Sequence, residues 1–209
     1  MASPNERFHL FGTAAAHPRA VELAEGVHHL LTRYVDEVVL SFALCPFLHQ
    51  RDSGLGAVGI VLDAQPDVAT ATAALRALSA NVAHLVFPLS QLSSSPFERF
   101  GNKLAESVRA SAPEKLVHAS FHPELVGGVE NAYRLIGLLR QSPDPFVQFI
   151  PHGLTKGGTV VAGVEPTEGH AEARFQRLTE TDRQELIRRT THLKAERRKL
   201  DALAAALSA

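Results

Sequence analysis

A single cysteine, Cys45, leaves the chain without an internal disulfide, which matches a reducing compartment and leaves that sulfur buried, metal-bound or reactive. Tryptophan is absent and tyrosine occurs only twice. Charge of one sign is also missing, since 21 basic residues meet 22 acidic ones. A nucleic-acid binder would show a basic excess interleaved with aromatics, so no nucleic-acid partner is expected. No apolar run is long enough to span a bilayer; the longest, residues 38–48, is interrupted by Ser41 and Pro46. The N-terminal residues, with Glu6 and His9 early and no continuous apolar stretch behind them, do not read as a secretory signal. The expectation is a cytoplasmic protein with no membrane partner. No internal repeat is visible.

What is present is the balance of an ordinary folded chain: 209 residues, 45% apolar and 21% charged, enough for one core with peripheral helices. The expected organisation is a loose N-terminal segment over 1–17, a single α/β domain over 18–170 and a C-terminal helical extension over 171–209. Val21, Ala24, Val27, Leu31, Tyr34, Val35, Val38 and Phe42 recur at helical spacing and predict a long amphipathic helix that Pro46 stops. Short apolar runs at 57–62, 84–87, 116–121 and 146–150 read as four strands. Helices are predicted between them: one capped by Asp67, one starting at Ser95-Pro96 with proline at its first position, and a short one over 131–139. Strands alternating with helices give a layered α/β sheet of about four strands. A small hairpin is expected around residues 159–162. Leucines at 186, 193, 200 and 207 make a narrow seam on a C-terminal helix over 181–207. That seam either folds back on the domain or joins two copies into a homodimer through residues 181–209.

Two places carry residue types suited to chemistry. In Leu44-Cys45-Pro46-Phe47-Leu48-His49 a thiol precedes an imidazole by four positions. Cys45 at the start of a helix beginning at Pro46 would have its pKa lowered by the helix amides; at the end of the preceding helix it would be disfavoured as a nucleophile. A buried structural cysteine is the plain alternative. In His118-Ala-Ser-Phe-His122-Pro123 the two-residue period of a strand puts His118, Ser120 and His122 on one face, at the strand end where open α/β sheets place their ligands. His122 reads as a general base or as a hydrogen-bonded strand-end histidine. Cys45, His49, His118 and His122 are suitable zinc or iron ligands, although no two fall at a diagnostic spacing. Near Ser142-Pro143-Asp144-Pro145, whose prolines fix an extended turn, Arg140 and Ser142 could hold an anionic group of a substrate. Lys156-Gly-Gly-Thr159 lacks the order of a phosphate loop and reads as a turn. The scattered histidines, His84 among them, are expected at the surface or as satisfied core residues.

Ser41-Phe-Ala-Leu-Cys45-Pro46-Phe47, Ala119-Ser-Phe121-His122-Pro123 and Ser142-Pro143-Asp-Pro145 resemble, in order and at similar separations, a bacterial family known only as a domain of unknown function, with motifs of the form LCPF, ASFHP and SPxP. The resemblance spans roughly residues 28 to 151. It singles out Cys45, Pro46, Phe47, Ser120, Phe121, His122, Pro123, Ser142, Pro143 and Pro145. This chain departs from the pattern at His49, near a family lysine, at Gln141, where the family arginine falls and Arg140 stands one place earlier, and at Leu125. The resemblance implies no known activity. The expected function is an enzyme acting on a small polar substrate, with Cys45, His122 and Ser120 as catalytic residues and Arg140, Ser142 and Phe47 binding the substrate. The alternative is a noncatalytic binding or assembly protein that works through the C-terminal seam.

Overall fold

The computed structural model describes residues 7–43, 55–78, 82–110, 116–151 and 167–208. Cys45, Phe47 and His49, the turn at Lys156 and the hairpin expected around 159–162 lie outside the described residues. The elements in chain order are β1 (His9–Phe11), α1 (Ala20–Tyr34) continued by a π-helical stretch (Val35–Leu40), β2 (Ala57–Val61), α2 (Val68–Ala77), β3 (Ala83–Val86), α3 (Ser94–Arg109), β4 (Leu116–Phe121), α4 (Ala132–Leu139), β5 (Phe146–Pro151), α5 (Thr167–Arg177), α6 (Glu180–Arg198) and α7 (Asp201–Ser208).

The sheet is mixed, in the order β1-β2-β3-β5-β4, with β1, β2 and β3 parallel and β5 antiparallel to both of its neighbours. It therefore has five strands where the sequence suggests about four. The extra strand is β1, within the segment expected to be loose. Three residues are too few to show a period, and β1 forms because its backbone pairs with β2, His9 opposite Gly59 and Phe11 opposite Val61. The topology sets the chemistry-bearing edge. The carboxyl ends of β1 to β4 and the start of β5 share one side of the sheet, which gathers Asp63, Pro88, His122 and residues 142–145 there.

Side chains alternate across the sheet into two cores. On one face Val58, Ile60, Val86 and Phe146 pack under Leu23, Leu31, Tyr34 and Val38 of the first helix and under Leu186, Leu193, Leu203 and Leu207 of α6 and α7. On the other, Val61, Leu85, Val147 and Phe149 pack under α2 and α3 through Ala71, Leu75, Phe97, Leu104 and Val108. Burying a leucine fully is worth roughly 1.5 to 3 kcal/mol before ordering costs, so the leucine seam is a principal attachment of the C-terminal helices to their own domain. The seam faces this chain's own core. It belongs to two helices: after α6 the amides of Lys199 and Leu200 turn back to Glu196 and Arg197 in a tighter turn, and α7 starts at Asp201.

Side-chain caps mark the starts of α2 and α4. Asp67 accepts from the Thr70 amide at 2.8 Å, and Asn131 accepts from Arg134 at 2.9 Å. Helix α3 begins earlier than its sequence suggests, with Ser93 at the cap and Pro96 inside the first turn. Proline is tolerated there because first-turn amides have no partner within the helix.

Candidate functional site

His122 leaves the end of β4 with its backbone amide donating to the Arg140 carbonyl at 2.9 Å. Its Nδ1 accepts from the Glu124 amide at 3.1 Å, so the ring proton sits on Nε2, which donates to the Leu92 carbonyl at 3.0 Å. The ring is 3% exposed and lies 5.6 Å from that of Phe97. Burial pushes its pKa down, against smaller opposing pulls from the Leu92 carbonyl, Glu124 and Glu98. Both ring nitrogens are committed to backbone, so neither has a lone pair for a substrate or a metal.

Ser120 and His118 share that face of β4, as alternation requires, and α3 covers it. Helix and strand approach so closely at Gly101 that an added Cβ would come within 2.2 Å of Ser120 Oγ. His118 is half-buried, its Nε2 2.9 Å from Asn102 Oδ1 and its Nδ1 3.4 Å from an Arg109 nitrogen. Burial and the positive charge of Arg109 lower its pKa.

Ser142 is wholly buried, and its hydroxyl donates to the Asp144 carbonyl at 2.5 Å. The Pro145 carbonyl accepts from the Phe87 amide at 2.9 Å. Arg140 joins this network through its carbonyl, which accepts from both His122 and Ser142. The Asp144 carboxylate is buried and paired with Arg197 of α6. Burial raises its pKa, and the Arg197 guanidinium opposes that shift. Arg197 also donates to the Pro88 carbonyl at 2.9 Å and to Asp201 at 2.9 Å. Lys194 reaches Gln141 Oε1 at 2.5 Å, while the Gln141 amide donates to the Leu125 carbonyl at 2.7 Å. From α1, the Tyr34 hydroxyl donates to the Leu139 carbonyl. The structure thus brings His122, Arg140 and Ser142 together as sequence suggests, within a framework in which Ser142 and the ring of His122 spend their hydrogen bonds on backbone. Among the described residues no three His, Cys, Asp or Glu side chains are grouped to hold a metal ion.

A histidine held less firmly sits on the opposite face of the sheet. His84, in the middle of the apolar strand β3, is 4% exposed, and its Nε2 is 3.1 Å from the amide nitrogen of Gln148 on β5. With that amide donating, the ring proton falls on Nδ1, which makes no close hydrogen bond among the described residues. Burial pushes the imidazole pKa down to about 4, opposed weakly by the Leu55 backbone. The ring of Phe146 lies 5.7 Å away, stacked in turn on Phe121 at 4.1 Å. Ala119 and Gln148, paired across β4 and β5 on this face, are only half-buried. The signal for His84 was there to be read: a basic side chain at one position of an otherwise apolar strand has to be matched by a polar neighbour or left unmatched.

Comparison with known protein families, characterised proteins and solved structures finds nothing that this chain matches, so its function has to be read from its own residues.

Proposed function

We propose that this chain is a small enzyme that uses Cys45 as a thiolate nucleophile on a small polar substrate, with His84 rather than His122 as its histidine. The observation that carries the reading is a buried, neutral imidazole whose Nε2 lone pair is held only by the side-chain amide of Gln148. Once the Gln148 amide swings aside, Nε2 can take the thiol proton while Nδ1 keeps its own, and the thiolate left beside the imidazolium would raise the histidine pKa. Phe42 and Leu55, which flank the segment containing Cys45, both pack on the apolar cluster formed by Val58, Val86 and Phe146, on the His84 face of the sheet. In this reading His122, Ser120, Ser142 and Arg140 hold the strand edge in shape. The same division, framework motifs plus one thiol, is what we propose for the family that the motifs resemble. A zinc or iron version would have to draw its ligands from histidines whose nitrogens are already engaged at His118 and His122.

The test is the pH profile of Cys45 alkylation by iodoacetamide in the native chain and in His84→Gln and His122→Gln. The native thiol is expected to titrate well below the roughly 8.5 of a free cysteine. His84→Gln should move the profile up toward that value, and His122→Gln should leave it in place. An ordinary thiol titration in the native chain, or a profile that follows His122 and ignores His84, would refute the assignment.

A further inference from the structure

Arg197 stands at a junction that the enzyme reading does not use. Its single guanidinium reaches the turn after β3 through Pro88, the β4–β5 connection through Asp144 and the start of α7 through Asp201, while only 11% of its side chain is exposed. Helix α7 has eight residues, too few to hold as an isolated helix, and buries Leu203 and Leu207 as its apolar contacts. The rest of α6 is secured independently, by the Thr179–Asp182 capping box at its start and by Leu186, Thr190 and Leu193 in the core.

We infer that the last turn of α6 together with α7 forms a strap across the strand edge, fastened by Arg197 and able to open as a unit while the sheet stays folded. When it opens, Asp144 loses the cover of Arg197 and meets solvent. Partner choice supports a fastening rather than a decoration: two of the three acceptors belong to the body of the domain and one to the strap. A buried carboxylate stripped of its cation is costly, so the closed position is strongly preferred while Arg197 is present.

Amide hydrogen exchange on the full chain at neutral pH tests this. In Arg197→Met, peptides covering 198–208 and 140–145 should exchange about a hundredfold faster or more than in the native chain, the scale expected when one member of a buried pair is removed. Amides of β2 and β3 should stay within a few-fold of native, and Arg198→Met, which removes an exposed neighbour, should change nothing. Native rates in 198–208 would show that the leucines alone hold α7 and would overturn the proposal; uniform acceleration everywhere would show that no separate unit opens and would overturn it too. Asp201→Asn removes only the most exposed of the three contacts and serves if Arg197→Met fails to fold. It should speed the same peptides by a few-fold and no others, and unchanged peptides would again count against the strap.

Discussion

Replacing a glycine inside a helix with alanine ordinarily stabilises it by about 1 kcal/mol, because the flexible residue loses more backbone entropy on folding. At Gly101 of α3 the sign should reverse. The new Cβ would lie 2.2 Å from Ser120 Oγ, well inside any real contact, while its next neighbours, Val147 Cγ2 at 3.5 Å and Ser120 Cβ at 3.6 Å, are at ordinary separation. Either the Ser120 hydroxyl turns away inside a packed layer or α3 lifts off β4. Overpacking of this kind costs about 1 to 3 kcal/mol, which offsets the helix gain and leaves Gly101→Ala net destabilising by up to about 2 kcal/mol. With Ser120→Ala already in place the clashing atom is gone, and Gly101→Ala should then be neutral or stabilising by up to about 1 kcal/mol. Urea unfolding of the four proteins gives the coupling directly, expected near 2 kcal/mol. An additive cycle, or a Gly101→Ala chain as stable as the native one, would refute the close approach and with it the claim that Ser120 is a packing group under α3.

Two further outcomes follow from buried polar groups. His84 is expected to have a pKa of about 4 when folded and near 6.5 when unfolded, so the unfolded chain takes up the proton first as pH falls. Its contribution to stability is therefore intact above about 6.5 and lost progressively down to about 4, by roughly 2 to 3 kcal/mol at pH 4.5. Measured in a Cys45→Ser background so that the thiol plays no part, urea unfolding at pH 7.5 and 4.5 should show this loss, and His84→Leu should remove most of it; an unchanged drop in the variant would mean the ring is not held neutral. Tyr34→Phe strips the Leu139 carbonyl of its donor in a buried setting and should cost about 1 to 2 kcal/mol with no change in the Cys45 titration, whereas a neutral substitution would show that water replaces the hydroxyl.

Sequence was most informative where a signal and its consequence lie within a few residues. The Asp67 cap, the 116–121 strand and the placement of His118, Ser120 and His122 on one face are all of that kind, and so is the short helix before residue 140. What escaped depends on distant pairing. Strand β1 exists because β2 offers it a parallel ladder, and β5 runs antiparallel between β3 and β4 although nothing in Phe-Val-Gln-Phe-Ile announces its neighbours. The expected helix over 181–207 is divided at Lys199 and Leu200, whose amides turn back to carbonyls three residues earlier. The partner of Asp144 lies 53 positions away. A lone acid between two prolines, set in an otherwise apolar approach to a strand, was a visible hint that a buried cation waits elsewhere in the chain, although not of which one.

The same reasoning separates framework from function among residues of identical type. His122 and Ser142 attract attention because a histidine and a serine near a strand end have the composition of a catalytic site. Their ring nitrogens and hydroxyl proton, though, are engaged by backbone: the Glu124 amide and the distant Leu92 carbonyl hold His122, and the Asp144 carbonyl takes the Ser142 proton, beside turns that Pro123, Pro143 and Pro145 fix. A group in that position cannot both hold the chain and serve a reactant without first giving up a bond worth about 1 kcal/mol and exposing a buried partner. His84 is the opposite case. Its ring is buried at comparable cost, yet its Nε2 is held by one side-chain amide and not by backbone, on a sheet face where Ala119 and Gln148 are only partly covered. Hydrocarbon at position 84 would pack against Phe146 without that penalty, so the imidazole makes the strand less stable than a leucine would. A destabilising polar group in a core is the kind of residue to suspect of function, because its chemistry has to justify what the fold gives up to keep it.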